Sequence, residues 1–181
     1  MENQNPSISK SAVTYGLYMG LALIVYSLII YLAGLTGNTT VSYLTYLIYI
    51  GMLCYAMINY RDKVNGGVLA YGQGVGLGTL TMVIGGVLSS IFTFILMKYI
   101  DPSLVDQIVN KAMEDAMAKG TPEAQIEMAE KWIRMFTSPT AILLMGVFGS
   151  GIVGAIISLI LAAIFKKEPS IFEGTEVVEE A

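Results

Sequence analysis

Three stretches of this chain, 11–60, 71–97 and 138–165, contain no charged residue at all. Runs of that length offer no polar side to water, and a chain of 181 residues cannot bury three of them in a soluble core, so they must lie in a bilayer. The composition agrees: 55% of residues are apolar, 13% are charged and the mean hydropathy is +0.66. The first stretch is long enough to cross twice, with Gly37 and Asn38 marking a tight turn in 35–40. We expect an all-α protein with four transmembrane helices at about 11–34, 41–60, 68–97 and 139–165. A helix of about 24 residues reaches roughly 36 Å, enough for a hydrocarbon core of roughly 30 Å.

The same composition removes several classes of function. There is no histidine and one cysteine, Cys54, so metal sites of the usual His/Cys type and a disulfide within the chain are not expected, nor is any cofactor. A net charge of −4 argues against nucleic acid as a partner. The spans hold neither a carboxylate nor a lysine to act as base beside their many hydroxyls, and no buried charge of the kind that ion-coupled transport uses. An enzyme is therefore not expected. Lys10 precedes an apolar run too long for a cleaved leader, with no small-x-small site after it, so the first helix is expected to remain.

The third span is marked by Gly72, Gly74, Gly76 and Gly78, followed by Gly85, Gly86, Ser89 and Ser90. On a straight helical wheel Gly72, Gly76, Thr79, Gly86 and Ser90 share one sector, while Gly74, Gly78, Thr81, Gly85 and Ser89 share another, nearly opposite. Leu77, Leu80, Ile84, Val87, Leu88 and Ile91 fill the arc between. Small residues mark close helix contacts in lipid, so the span is expected to sit between two neighbours and to show lipid its aliphatic edge. The first span, with Gly16 and Gly20, and the fourth, with Gly146, Ser150, Gly154 and Ser158, are the natural neighbours. An unwound, re-entrant start of the span is the rival reading. A dinucleotide loop is not, because 72–77 lacks the sixth-position glycine and any preceding strand. In the second span Tyr46 and Tyr49 share a face, with interhelical hydrogen bonds or a wet cavity as destinations for their hydroxyls.

Between the third and fourth spans the chain leaves the bilayer. Asp101-Pro102, Thr121-Pro122 and Ser138-Pro139 each set a capping side chain before proline, which writes three helix starts. An extramembrane amphipathic helical hairpin is expected over 101–137, its second helix placing Ile126, Ala129, Trp132, Ile133 and Phe136 along a buried seam. Met113, Met117, Met128 and Met135 with Trp132 fit either that seam or an adaptable surface for a partner. Glu123, Glu127 and Glu130 share a face, but Lys131 and Arg134 lie at four-residue spacing from two of them, which favours a solvated side over a cation site. Segment 1–10 is polar, and 168–181 is an acidic tail with nothing to fold around.

The run Tyr60-Arg61-Asp62-Lys63-Val64-Asn65-Gly66-Gly67 with Leu69-Ala70-Tyr71-Gly72-Gln73, the Asp101-Pro102 opening and the closing Ile160-Leu161-Ala162-Ala163-Ile164-Phe165-Lys166-Lys167 resemble a family of small bacterial membrane proteins, domain of unknown function 4199. This chain has Gly74 and Val75 where the family is expected to carry an aromatic and an alanine. The resemblance implies a four-span protein of the bacterial inner membrane and carries no activity. Lys10, Arg61, Lys63, Lys166 and Lys167 fall on one side of four spans, which predicts cytoplasmic termini and an external hairpin. The expected role is a non-enzymatic membrane component whose hairpin meets a membrane-protein partner or a second copy. The alternative is a channel or carrier for a small neutral or lipid-like solute, lined by Tyr46, Tyr49, Gln73 and the glycine faces.

Overall fold

The computed structural model describes residues 7–168, so the acidic tail and most of the polar N-terminal segment lie outside the described residues. Six α-helices follow one another: α1 (Ile8–Leu32), α2 (Thr39–Asn59), α3 (Tyr71–Ile95), α4 (Leu104–Ala118), α5 (Glu123–Thr137) and α6 (Pro139–Phe165). Among the described residues the only pairing of strand type is an isolated bridge between Leu69 and Lys167. Four helices are long and apolar enough to cross a membrane: α1, α2 with its extension, α3 with its extension, and α6. The protein is a membrane protein.

Local chemistry sets the ends of these helices. The Asn38 carboxamide oxygen accepts from the backbone N–H groups of Thr40 and Val41 at 3.0 and 3.3 Å and so caps α2. Although the second span is expected to end at Tyr60, Tyr60–Val64 continues α2 in the wider π form, the Asn65 N–H donating to the Tyr60 carbonyl at 2.8 Å. Gly66 and Gly67, at φ of +62° and +83°, then reverse the chain in a conformation that a side chain disfavours. Helix α3 starts regularly at Tyr71 with no unwound turn. Its N-terminus is closed by the Gln73 side chain, whose oxygen accepts from the Ala70 N–H at 3.0 Å and from the Asn65 carboxamide at 3.2 Å. A second π segment, Leu96–Ile100, ends α3. The Ser138 hydroxyl caps α6 by accepting from the Ala141 N–H at 3.3 Å.

Helix α3 makes its most extensive contacts with α6 and α1. Against α6 the two helices form a ladder: Gly74 meets Ala162, Gly78 meets Ser158, Met82 meets Gly154, Gly86 meets Ser150 and Ser90 meets Gly146. Each rung steps four residues up one helix and four down the other, as antiparallel neighbours require. The fit is close: a Cβ would stand 2.8 Å from the Ala162 Cβ at Gly74, 2.7 Å from the Ser150 Oγ at Gly86 and 2.6 Å from the Met82 Cβ at Gly154. Against α1 the knobs come from α3, with Ile84 seated on Gly16 and Leu88 on Gly20, while Met19 of α1 fills the gap at Gly85.

This arrangement differs from the straight-wheel expectation in three ways. Gly74, Gly78 and Gly86 all serve α6, although the wheel puts Gly86 in the opposite sector. Gly72 and Gly76 face no neighbour, with nothing within 4 Å of where a Cβ would stand. Ile84 and Leu88, assigned to the lipid edge, are the contact with α1, and Leu77 is fully buried. The cause is geometric. A file of residues at four-residue spacing advances about 40° around the axis per step, so over five rungs it winds some 160°. A neighbour that follows such a ridge crosses at an angle, and no straight stripe parallel to the axis describes its footprint.

At one end of the molecule the Leu69 and Lys167 backbones exchange two hydrogen bonds of 2.9 Å, tying the segment before α3 to the end of α6. At the other end α4 lies over the α1–α2 turn, where Gly37 approaches Ile108 and Lys111. There Leu96, Met97 and Leu104 form a small second core with Tyr31, Phe92, Val105, Ile108 and Ile142 packed around it.

Candidate functional site

Helix α2 touches α6 only sparsely. The resulting gap is a slot of about 630 Å³ whose floor is α3. Gly86, Ser89, Ser90 and Thr93 form the floor, Tyr46 and Tyr49 form the α2 wall, and Ile142, Met145, Gly149 and Val153 form the α6 wall. Phe136 and Thr137, the last turn of α5, stand at one end. Small residues make the floor for a local reason: the Ser90–Gly146 and Gly86–Ser150 rungs draw α6 in and leave no side chain tall enough to fill the space above them.

A second cavity of about 250 Å³ adjoins the slot, enclosed by the ends of α1, α2 and α3 beneath α4. Tyr49, Ser89 and Thr93 line both, so the two lie side by side across these three residues. The inner part is lined by the polar groups of Tyr26, Tyr31, Asn38, Ser42 and Thr45 and covered by Leu104 and Ile108. Among the described residues no charged side chain lines either part.

The hydroxyls fall into two sets. Tyr26 donates to the Val41 carbonyl at 2.6 Å, Thr93 to the Ser89 carbonyl at 3.0 Å, and Ser90 and Ser150 return to their own helices at 2.9 and 3.1 Å. Among the described residues the hydroxyls of Thr45, Tyr46, Tyr49 and Ser89 have no protein partner. Tyr46 and Tyr49 meet edge to face, with ring centroids 6.2 Å apart, and this contact holds the α2 wall in place without engaging either oxygen. A hydroxyl without a partner in a nonpolar surrounding is costly, so the space favours an occupant that brings donors or acceptors.

Just beyond the inner cavity lies Asp101. Its carboxylate accepts from the Ser103 hydroxyl and backbone N–H and from the Tyr31 hydroxyl at 3.3 Å. The Ser103 hydroxyl, with those further hydrogen bonds, holds the Asp101 carboxyl below its usual range. Asp101 thereby fixes Tyr31 at the covered end of the space.

The residues singled out in the sequence distribute as follows. Gly86, Gly146 and Ser150 line the slot as well as the α3–α6 contact, whereas Gly16, Gly20, Gly74, Gly78, Gly85, Gly154 and Ser158 lie in helix contacts alone. Gln73 caps α3 close to the Leu69–Lys167 bridge and lines neither part of the space, so it does not join Tyr46 and Tyr49. Met113 is buried, at 8% exposure, while Met117, Met128, Trp132 and Met135 are exposed. Trp132 and Phe136 therefore lie outside the seam expected for them. Ser89, expected in a helix-packing sector, lines the site instead, and Thr93 and Thr45 join it although nothing in their local sequence distinguishes them from other hydroxyls in the spans. Asn38, unremarkable as part of Asn38-Thr39-Thr40, both caps α2 and lines the inner cavity.

A family model described as protein of unknown function (DUF4199) matches residues 14–167, from the first turns of α1 to the Leu69–Lys167 bridge. No curated protein and no solved structure matches the chain.

Proposed function

The chain belongs to the DUF4199 family of proteins of unknown function, and from the geometry of the slot we propose that it is a non-enzymatic membrane protein binding a lipid-like, uncharged amphipath between α2 and α6. One observation carries this reading: two adjoining cavities whose walls combine aliphatic side chains with the unpartnered hydroxyls of Thr45, Tyr46, Tyr49 and Ser89. An acyl chain suits Met82, Ile142, Met145 and Val153, and the ester or hydroxyl part of the same molecule suits the hydroxyl-lined end. The absence of a charged lining residue supports binding over turnover and over ion transport.

In this reading the four spans form a membrane bundle of the bacterial inner membrane, with both termini cytoplasmic and α4–α5 forming an external hairpin. The support is the clustering of Lys10, Lys63, Lys166 and Lys167 at the end where Leu69 pairs with Lys167. Helix α4 then serves as the cover of the inner cavity.

Gly149 provides the test. It lines the slot, and nothing stands within 4 Å of where its Cβ would be, so Gly149→Phe is the substitution chosen to obstruct the space. A phospholipid carrying a diazirine near the end of its acyl chain should photolabel peptides of the slot in wild-type protein and lose that labelling in Gly149→Phe. Gly51→Leu, equally open but away from the slot, should label as wild type does. Equal labelling in wild type and Gly149→Phe, with both variants folded, would reject the slot as a binding site.

A further inference from the structure

Helix α5 has no buried residue among its described positions, although half of its circumference is apolar. Ile126, Ala129 and Ile133 are half-buried on one side of that apolar arc. The remainder, Met128, Trp132, Met135 and Phe136, is exposed, Trp132 at 55% and Met128 at 65%. The Trp132 and Phe136 rings stack, with centroids 5.9 Å apart and planes 18° from parallel. On the other flank Arg134 donates to Asp106 of α4 at 2.6 Å and to Glu130 at 2.9 Å. That ion pair fixes which edge of α5 meets α4 and leaves the Trp132 edge turned away from it.

We propose that α5 is an interfacial helix whose Met128, Trp132, Met135 and Phe136 face is embedded in the lipid headgroup and upper acyl region of the bilayer. Three observations select lipid as the occupant. Only Ser138 separates α5 from the membrane-spanning α6, so the C-terminal turn of α5 is held at the boundary of the bilayer. Phe136 lines the same slot as Met145 of α6, which makes the exposed face of α5 continuous with a membrane-spanning surface where Leu144 and Phe148 are also exposed. The charges of α5, Glu123, Glu127, Glu130, Lys131 and Arg134, occupy the opposite arc, the division that a helix lying along an interface requires. Tryptophan is the side chain best suited to that depth, with an apolar body and one N–H for the headgroup layer.

Trp132 is the only tryptophan in the chain, so the unmodified protein reports on its own α5. The probe is phosphatidylcholine vesicles whose acyl chains carry bromine at a shallow or a deep carbon, with acrylamide as the aqueous quencher. The expected result is blue-shifted emission that loses more than half of its intensity to shallow bromine, less to deep bromine and little to acrylamide, at every protein-to-lipid ratio. Moving the probe one turn, with Trp132→Phe and Phe136→Trp together, should shift the balance toward the deeper bromine. Strong acrylamide quenching without bromine quenching would place the face in water and overturn the proposal. Protection from both quenchers, growing with protein density in the vesicle, would assign the face to a second copy and overturn it equally. These outcomes are read independently of whether the slot binds lipid.

Discussion

The glycines of α3 and α6 look alike in the sequence and differ sharply in what surrounds them. At Gly78 a Cβ would stand 2.8 Å from the Met57 Cε and at Gly146 2.6 Å from the Ser90 Oγ, whereas at Gly76 it would meet nothing. Gly78→Leu and Gly146→Leu should each cost about 1–3 kcal/mol or more, since the extra volume forces apart backbones that touch. Gly76→Ala should instead stabilise the helix by about 0.5–1 kcal/mol, the gain from replacing glycine in a helix interior. Denaturation in mixed micelles would measure both, and equal losses at the three positions would contradict the ladder. Asp101 gives a residue-level pH dependence. Its folded pKa is lowered by the Ser103 and Tyr31 hydrogen bonds, so its contribution is complete above the unfolded value of about 3.9 and is lost as pH falls through the lower folded one. Asp101→Asn should lower thermal stability at neutral pH, where the ionised carboxylate contributes, and change it little on the acid limb, so that the pH profile flattens. With no histidine in the chain, no histidine-driven switch operates between pH 5 and 8.

Helix ends were legible where a capping residue precedes a strong pattern. Ser138-Pro139 starts α6 as its sequence says, whereas α4 begins only at Leu104 after Ser103 and α5 at Glu123 after Pro122, neither cap position making a side-chain cap hydrogen bond; Gly120, at φ of +73°, ends the turn after α4. The π segments Tyr60–Val64 and Leu96–Ile100 were not legible, because a π turn differs from an α turn only by one residue in its hydrogen-bond reach and has no composition of its own. Asn38 shows a further limit: in the sequence it marks only a turn, and the backbone geometry alone reveals that it also caps α2. Asn38→Ala should cost about 1 kcal/mol through the lost cap, while Asn38→Asp or Asn38→Ser should retain most of it. Thermal unfolding of the three variants in one detergent would separate capping from any other role of the side chain.

For the molecule as a whole, α3 is the element that the other spans share. It meets α6 through one winding ridge and α1 through Ile84 and Leu88, and α2 is left to close the remaining side incompletely. That incomplete closure creates the slot, so the candidate site is a consequence of how tightly α6 and α1 pack on α3. The Leu69–Lys167 bridge brings the loop between the second and third spans beside the end of the fourth. Single cysteines placed at Lys10, Lys63 and Lys166 in a Cys54→Ser background should therefore react from one side of the membrane with an impermeant maleimide. A cysteine at Glu114 should react only from the other. If the basic cluster is cytoplasmic, the first three are protected in intact cells and Glu114 is labelled. Labelling of Lys10 and Lys166 from opposite sides would contradict the four-span arrangement.

The charge-free runs by themselves determined that this is a helical membrane protein with four apolar helices of crossing length, because only burial in lipid satisfies so many adjacent apolar side chains. The same text, through its small residues, pointed to α1 and α6 as the neighbours of α3. What only the tertiary structure decided was which small residue meets which partner, because a ridge of residues at four-residue spacing winds around its helix and a straight wheel does not. It also decided that Tyr46 and Tyr49 join Ser89 and Thr93 while Gln73 does not. Hydroxyls in apolar spans are chemically interchangeable in sequence, and only the gap left between α2 and α6 makes some of them a site.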